Sequence, residues 1–208
     1  MADLISWGAI GARTTESQIH RQLASGLSMP IGFKNGTDGD LQVALDACGA
    51  AAAAQAFLGS TATAGPRWWR PPGTRTPTSS SAVDGRGPTT QQSTSKVPRP
   101  SSPARAQPRL IVDASHANSG KSHHRQAEVA LEIGAQLEDG GEAAKAIAGV
   151  MLESFLVGGA QNLDVAEHAA GRAELVYGQS VTDACMDWDV SVSVLDQLAA
   201  SARKRRTA

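Results

Sequence analysis

Leu4-Ile5-Ser6-Trp7-Gly8-Ala9-Ile10-Gly11-Ala12, running into Arg13-Thr14-Thr15-Glu16-Ser17, decides the fold class of this chain. The first nine residues are apolar or small, the pattern of a strand buried on both faces and of its exit turn. Thr14 with Ser17, or Thr15 with Gln18, offers a capping arrangement for a helix. Ile19, Leu23 and Leu27 then recur at i, i+4 and i+8, which is one helix face. Pro30-Ile31-Gly32-Phe33 reads as a second short strand. Asp38 stands where it can cap a helix carrying Leu41, Ala44, Leu45 and Cys48, and Phe57-Leu58 opens a third strand. Strand, helix, strand, helix predicts a parallel sheet with helical crossovers.

The same rhythm returns after residue 108. Arg109-Leu110-Ile111-Val112-Asp113-Ala114-Ser115 is a strand entering a polar turn. A helix through about Glu138 carries Ala127, Ala130, Leu131 and Leu137. Ile147-Ala148-Gly149-Val150-Met151-Leu152 is another strand, ending at Glu153-Ser154. Asp183 is a candidate cap for the last helix, with Val194, Leu195 and Leu198 as its apolar positions. Arg203-Lys204-Arg205-Arg206 closes the chain, favourable beside a helix C-terminus.

Residues 59–108 break the rhythm. Of the 10 prolines, nine lie between Pro66 and Pro108. The stretch has no Leu, Ile, Met or Phe, seven Lys or Arg, and one acid, Asp84. Such a composition cannot bury enough apolar area to offset the ~1–2 kcal/mol per residue lost on ordering the backbone. The sequence therefore predicts disorder here, between residues 1–58 and residues 109–208.

Bulk numbers exclude several classes. The 208 residues carry 19 Lys+Arg against 20 Asp+Glu, so the chain is not a strongly basic nucleic-acid binder. Seven of those basic residues and one acid fall in 59–108, so the flanking parts are acidic. Two cysteines make no disulfide scaffold. No apolar run approaches the ~20 residues of a spanning helix, and Met1-Ala2-Asp3 shows no secretory signal. A cytoplasmic protein with neither membrane nor nucleic-acid partners is expected.

Polar residues gather just past strand ends, where parallel α/β folds build their sites. Arg13 follows the first strand and Lys34 the second; both suit phosphate or carboxylate. His116 follows Val112-Asp113 and Glu153 follows Val150-Met151. With a further acid they suit a divalent metal. Singly, each of these residues reads as a surface charge or a cap, and Asp183 as a plain helix N-cap. Their shared position raises the functional reading.

Five blocks carry a family resemblance. They are Ser6-Trp7-Gly8-Ala9-Ile10-Gly11-Ala12-Arg13-Thr14-Thr15-Glu16-Ser17-Gln18, Gly32-Phe33-Lys34-Asn35-Gly36-Thr37-Asp38-Gly39, Asp113-Ala114-Ser115-His116-Ala117-Asn118-Ser119, Gly149-Val150-Met151-Leu152-Glu153-Ser154 and Tyr177-Gly178-Gln179-Ser180-Val181-Thr182-Asp183-Ala184-Cys185. In this order they resemble class I 3-deoxy-D-arabino-heptulosonate 7-phosphate (DAHP) synthase. The resemblance implies an α/β fold, an incomplete (β/α)8 TIM barrel interrupted by the Pro/Ser/Arg-rich segment. It implies the condensation of phosphoenolpyruvate with D-erythrose 4-phosphate, the first step of the shikimate pathway to aromatic amino acids. Arg13 and Lys34 then resemble phosphoenolpyruvate contacts, with Lys34 also the catalytic point charge near the reacting end. His116, Glu153 and Asp183 resemble three ligands of a divalent metal (Mn2+, Fe2+, Co2+ or Zn2+). The intact family forms homo-oligomers.

Two family features have no match. A fourth ligand, an early cysteine, and an early Lys-Pro-Arg-Thr-type motif are absent, and neither Cys48 nor Cys185 replaces the cysteine. The expectation is a chain that starts partway into the barrel, with Met1 at an internal position. In 59–108 the family places a strand ending Leu-Arg-Gly-Gly, then Gly-Pro-Asn-Tyr. With GC-rich codons, Gly73 to Asp84 read two bases later gives Asn-Pro-Asp-Thr-His-Leu-Val-Leu-Arg-Gly-Gly. Gly87-Pro88-Thr89-Thr90 gives Gly-Pro-Asn-Tyr in the same way. A frameshift near residue 59, compensated near Pro108, is the expectation, with a product poorly folded and inactive alone. The alternatives are a non-catalytic relic docking on an intact paralogue, or an interaction protein working through residues 59–108 as a proline-rich linker.

Overall fold

The computed structural model describes residues 4–61, 64–69, 78–81, 109–171 and 174–207. The chain divides into two compact units, Met1–Asp84 with Lys96–Ile111, and Gly85–Ser95 with Val112–Ala208.

In chain order the first unit holds β1 (Gly8–Ile10), α1 (Gln18–Ser25), β2 (Ile31–Lys34), α2 (Leu41–Ala52), β3 (Phe57–Thr61), β4 (Ala64–Trp69) and β5 (Thr78–Ser81). The two predicted strands pair in parallel, Gly8 opposite Ile31 and Ile10 opposite Phe33. On the other side of β2 lies β5, also parallel, with Gly32 opposite Thr78. Next to β5 lies β6 (Arg109–Asp113), of which Arg109–Ile111 belong to this unit. The core is Ile31 and Phe33 of β2 against Ala24 of α1 and Ala44, Ala47 and Ala51 of α2. Burying a Phe side chain of this kind contributes roughly 1.5–3 kcal/mol. The alanines of α2 let the helix lie close to the strand.

Three details depart from expectation. Ile19, Leu23 and Leu27 are exposed, while Ala24 and Ser25 are the buried residues of α1. Small residues give the closer approach, so the bulky stripe is left on the outside of the unit. Caps shift too. Ser17 is the N-cap of α1, but its Oγ pairs with His20 Nδ1 at 2.8 Å and makes no bond to a backbone N–H of the helix. Asp40 caps α2 by accepting from Gln42 N at 2.8 Å, while Asp38 accepts from Asp40 N at 3.1 Å. Finally, the strand from Phe57 is not the next parallel strand. It pairs antiparallel with β4, Phe57 opposite Trp69, in a two-stranded ribbon.

Strands β3, β4 and β5 thus reach into residues 59–108, where the composition predicts no element. The remainder of that disorder and frameshift reading, residues 62–63, 70–77 and 82–108, lies outside the described residues. The strand β5 has the sequence Thr-Ser-Ser-Ser. A strand flanked on both sides in a parallel sheet is normally rich in Val, Ile and Leu, so nothing in its sequence accounts for its position.

The second unit continues with α3 (His123–Asp139), α4 (Glu142–Ala146), β7 (Ile147–Met151), β8 (Val157–Ala160), α5 (Val165–Ala169), β9 (Gln179–Ser180) and α6 (Trp188–Thr207). Beside the end of β6 lies β7, and Ala114 N donates to Met151 O at 3.0 Å. β8 and β9 pair in parallel, and Ser154 forms a parallel bridge to Met186. Val112, Ala114, Val129, Ile133, Leu137 and Ile147 form one core cluster, and Ala130, Met186 and Val194 a second. Of the predicted apolar positions, Leu137 and Val194 are buried, whereas Leu131 and Leu195 are exposed. The cap of α6 is Asp187, accepting from Val190 N at 2.8 Å, not Asp183. The basic tail does serve a helix end: Arg205 Nη1 donates to Ala144 O and Ile147 O at 3.2 and 2.9 Å, beside the C-terminus of α4. The α/β class with parallel strands is therefore observed.

Candidate metal centre

The turn after β6 is wound around one buried carboxylate. Asp113 Oδ1 accepts from Ser115 N and Ser115 Oγ, both at 2.8 Å, and from His116 N at 3.3 Å. Its Oδ2 lies 2.7 Å from His116 Nδ1. This is a side chain closing its own following turn, which short acids do well. Asn118 Nδ2 donates to Asp113 O at 2.6 Å, and Ser119 Oγ to Ser115 O at 2.7 Å. The carboxylate at Nδ1 fixes the ring's orientation and leaves Nε2 turned towards the strand end of β7.

That Nε2 is 3.4 Å from Glu153 Oε1. Glu153 follows β7, and its N donates to Oε1 of the buried Gln126 at 3.0 Å. Asp183 joins from the loop after β9. The loop is held by Met186 N donating to Glu153 O at 3.0 Å and by Phe155 N donating to Met186 O at 2.9 Å. One ligand atom from each of His116, Glu153 and Asp183 lies within 4.8 Å of the others. Asp183 is exposed and the other two half-buried, so the cluster is open to an incoming ion. Two carboxylates beside an imidazole repel one another until a cation neutralises them. An imidazole and two carboxylates are N and O donors of the kind that hold divalent metal ions.

Cys185 stands next to this group without joining it; its Sγ donates to Asp183 O at 3.6 Å. Burial raises its thiol pKa; a bond from Ser180 opposes this, and the carboxylates of Glu153 and Asp183 add to the rise.

The cationic candidates lie in the first unit. Lys34 is the last residue of β2 and half-buried; Arg13 is exposed in the turn after β1. Because β1 and β2 run parallel, both residues follow the same end of neighbouring strands. Thr15, fully buried, ties the two segments together: its Oγ1 lies 2.6 Å from Lys34 O and 3.0 Å from Gly11 O. Sequence reasoning found the three clustered residues but missed their supports, Asp113 and Gln126. The signal for Gln126 was a lone amide on the helix face of Val129, Ala130 and Ile133.

Such a fold and cluster define an α/β protein with parallel strands and, past its strand ends, a His/Glu/Asp cluster that could hold a metal ion. Comparison with known proteins narrows this. The model of the DAHP synthetase I family matches residues 1–196, and the chain belongs to that family. It is 51% identical over 210 residues to phospho-2-dehydro-3-deoxyheptonate aldolase of Corynebacterium glutamicum, covering 100% of this chain and 56% of the relative. The Phe-sensitive aldolase of Escherichia coli K12 is 43% identical over 211 residues, again covering 56% of that relative. Among solved structures, the aldolase of Francisella tularensis SCHU S4 superposes with a TM-score of 0.80 at 36% identity, over 99% of this chain and 57% of that one. The chain thus spans little more than half the length of these relatives.

Proposed function

We propose that this chain carries part of the active site of a DAHP synthase, which joins phosphoenolpyruvate to D-erythrose 4-phosphate at the entry to aromatic amino acid biosynthesis. The observation that carries the reading is the His116–Glu153–Asp183 cluster, with its three ligand atoms within 4.8 Å. His116 through Nε2, with Glu153 and Asp183 through carboxylate oxygens, would hold the divalent ion. The ion supplies a Lewis acid that polarises the aldehyde oxygen of the sugar phosphate. Arg13 offers a guanidinium for phosphate or carboxylate, and Lys34 a point charge beside the reacting end of phosphoenolpyruvate. The fold proposed is part of a (β/α)8 barrel, in a cytoplasmic enzyme that assembles as a homo-oligomer when intact.

The test is a titration of the purified chain with Mn2+, followed by the loss of the free-ion EPR signal. One ion bound per chain in wild type, and none in a His116→Ala, Glu153→Ala double variant, is expected. Equal binding by both would refute the assignment.

A second reading concerns the product rather than the family. The all-hydroxyl sequence of β5 favours translation of residues 59–108 out of the ancestral frame, with loss of the arginine that the family carries there. The 208-residue chain is then a relic without turnover, able at most to dock on an intact paralogue. Consumption of phosphoenolpyruvate by the purified chain with erythrose 4-phosphate and Mn2+ would overturn this reading. So would an unshifted reading frame through codons 59–108 in related strains.

A further inference from the structure

We propose that Gln126 is a positioning residue: one buried amide that sets the spacing of Glu153 and Asp183 before any ion arrives. The inference rests on the reading of the cluster as a metal centre.

Gln126 is 1% exposed, on the first turn of α3. It shares a face with Val129, Ala130, Ile133 and Leu137, all buried. A primary amide in such surroundings is costly unless both of its ends are paired. Its acceptor end takes Glu153 N at 3.0 Å, and its donor end gives to Ala184 O at 3.4 Å. Glu153 is one ligand residue, and Ala184 adjoins another, Asp183. The side chain therefore spans the two loops that bring the carboxylates. The helix bearing it starts where the His116 turn ends, and Lys121 N donates to His116 O at 2.9 Å. Gln126 on α3 thus joins the Glu153 and Asp183 segments, and the His116 turn leads into the same helix. Only an amide does this: Met fills the space with neither bond, and Glu keeps an acceptor but offers no donor to Ala184 O. Ligand placement by outer groups is how metal sites keep their geometry when empty.

The experiment uses the full 208-residue chain as wild type, Gln126→Met, Gln126→Glu and Ile133→Val. Mn2+ affinity is read by EPR, Co2+ geometry by the visible ligand-field spectrum, and folding by thermal melting of the metal-free protein. Gln126→Met is expected to weaken Mn2+ binding about 10–100-fold and to change the Co2+ spectrum. Gln126→Glu is expected to fall between it and wild type. Ile133→Val, a core change on the same helix face, should lower the melting temperature and leave both metal readouts unchanged. Wild-type affinity and spectrum in a folded Gln126→Met, or in Gln126→Glu where the Met variant does not fold, would overturn the proposal. Loss of affinity in Ile133→Val as large as in Gln126→Met would also overturn it, since general loosening would then suffice. Wild type that binds no Mn2+ would instead remove the metal centre itself, and this outcome is visible before any variant is compared.

Discussion

The strand ends of the two units hold their polar side chains by different means. In the second unit each ligand segment is braced from behind by a buried polar group: His116 by Asp113, and Glu153 and the Asp183 loop by Gln126. In the first unit the bracing is on the backbone. Thr15 holds the carbonyl of Lys34 and the turn of Gly11, while Arg13 itself is exposed. The difference matches the two roles proposed for these strand ends. A metal centre needs its donor atoms placed to a fraction of an ångström. A cation that attracts phosphate or carboxylate acts through charge over a longer range.

The contrast can be broken at several points. The largest effect belongs to the core that supports the cationic ends. Phe33→Ala, at a fully buried position of β2, is expected to cost about 3–5 kcal/mol in denaturant unfolding. A loss below 1 kcal/mol would mean that β2 does not organise the first unit. Next comes the imidazole. His116→Ala should reduce Mn2+ affinity by more than the ~10–100-fold typical of a lost outer support. Asp113→Asn should fall inside that range, because a neutral amide oxygen holds the ring proton at Nδ1 more weakly than a carboxylate does. Unchanged calorimetric affinity would show that the brace is dispensable.

A smaller effect is set by pH. Burial raises the Cys48 thiol to about 12, against a weaker opposing attraction from Arg21. The unfolded chain ionises this thiol near its ordinary value of 9.0, while the folded chain keeps the proton. The stabilisation is therefore complete below pH 9 and is lost as pH rises towards 12, by up to about 1.4 kcal/mol per pH unit. Alkaline unfolding curves of wild type and Cys48→Ala should converge over that window; parallel curves would contradict the burial. The smallest effect is at Arg13. Its exposure predicts that Arg13→Ala shifts stability by no more than about 0.5 kcal/mol and leaves Mn2+ affinity unchanged. A larger change in either would put Arg13 among the braced residues.

Much of this was legible in the sequence. The Ile31–Phe33 strand and the Ile147–Met151 strand were visible as period and composition, whereas the run to Ala12, read as one buried strand, is a strand only over Gly8–Ile10, with Leu4 and Ile5 exposed. Also visible were His116 and Glu153 at strand ends, because the chemistry of a parallel fold sits there. Other features were not legible. Ile19, Leu23 and Leu27 have perfect helical spacing yet face outward, since spacing marks a face but not what covers it. Asp183 has the composition of a cap, yet Asp187 does that work, because cap choice depends on where the chain turns. The antiparallel pairing of β3 with β4 rests on contacts between residues that carry no pattern of their own.

By itself, the sequence determined the alternation of strands and helices, the parallel class that follows from it, and the residue types available at strand ends. These are local properties, set by period, propensity and composition. The tertiary structure alone decided that His116, Glu153 and Asp183 converge, that Asp113 and Gln126 stand behind them, and that Thr-Ser-Ser-Ser occupies the place beside β2. Each of those depends on which segments lie next to one another in space, and between residues tens of positions apart no local period records that choice.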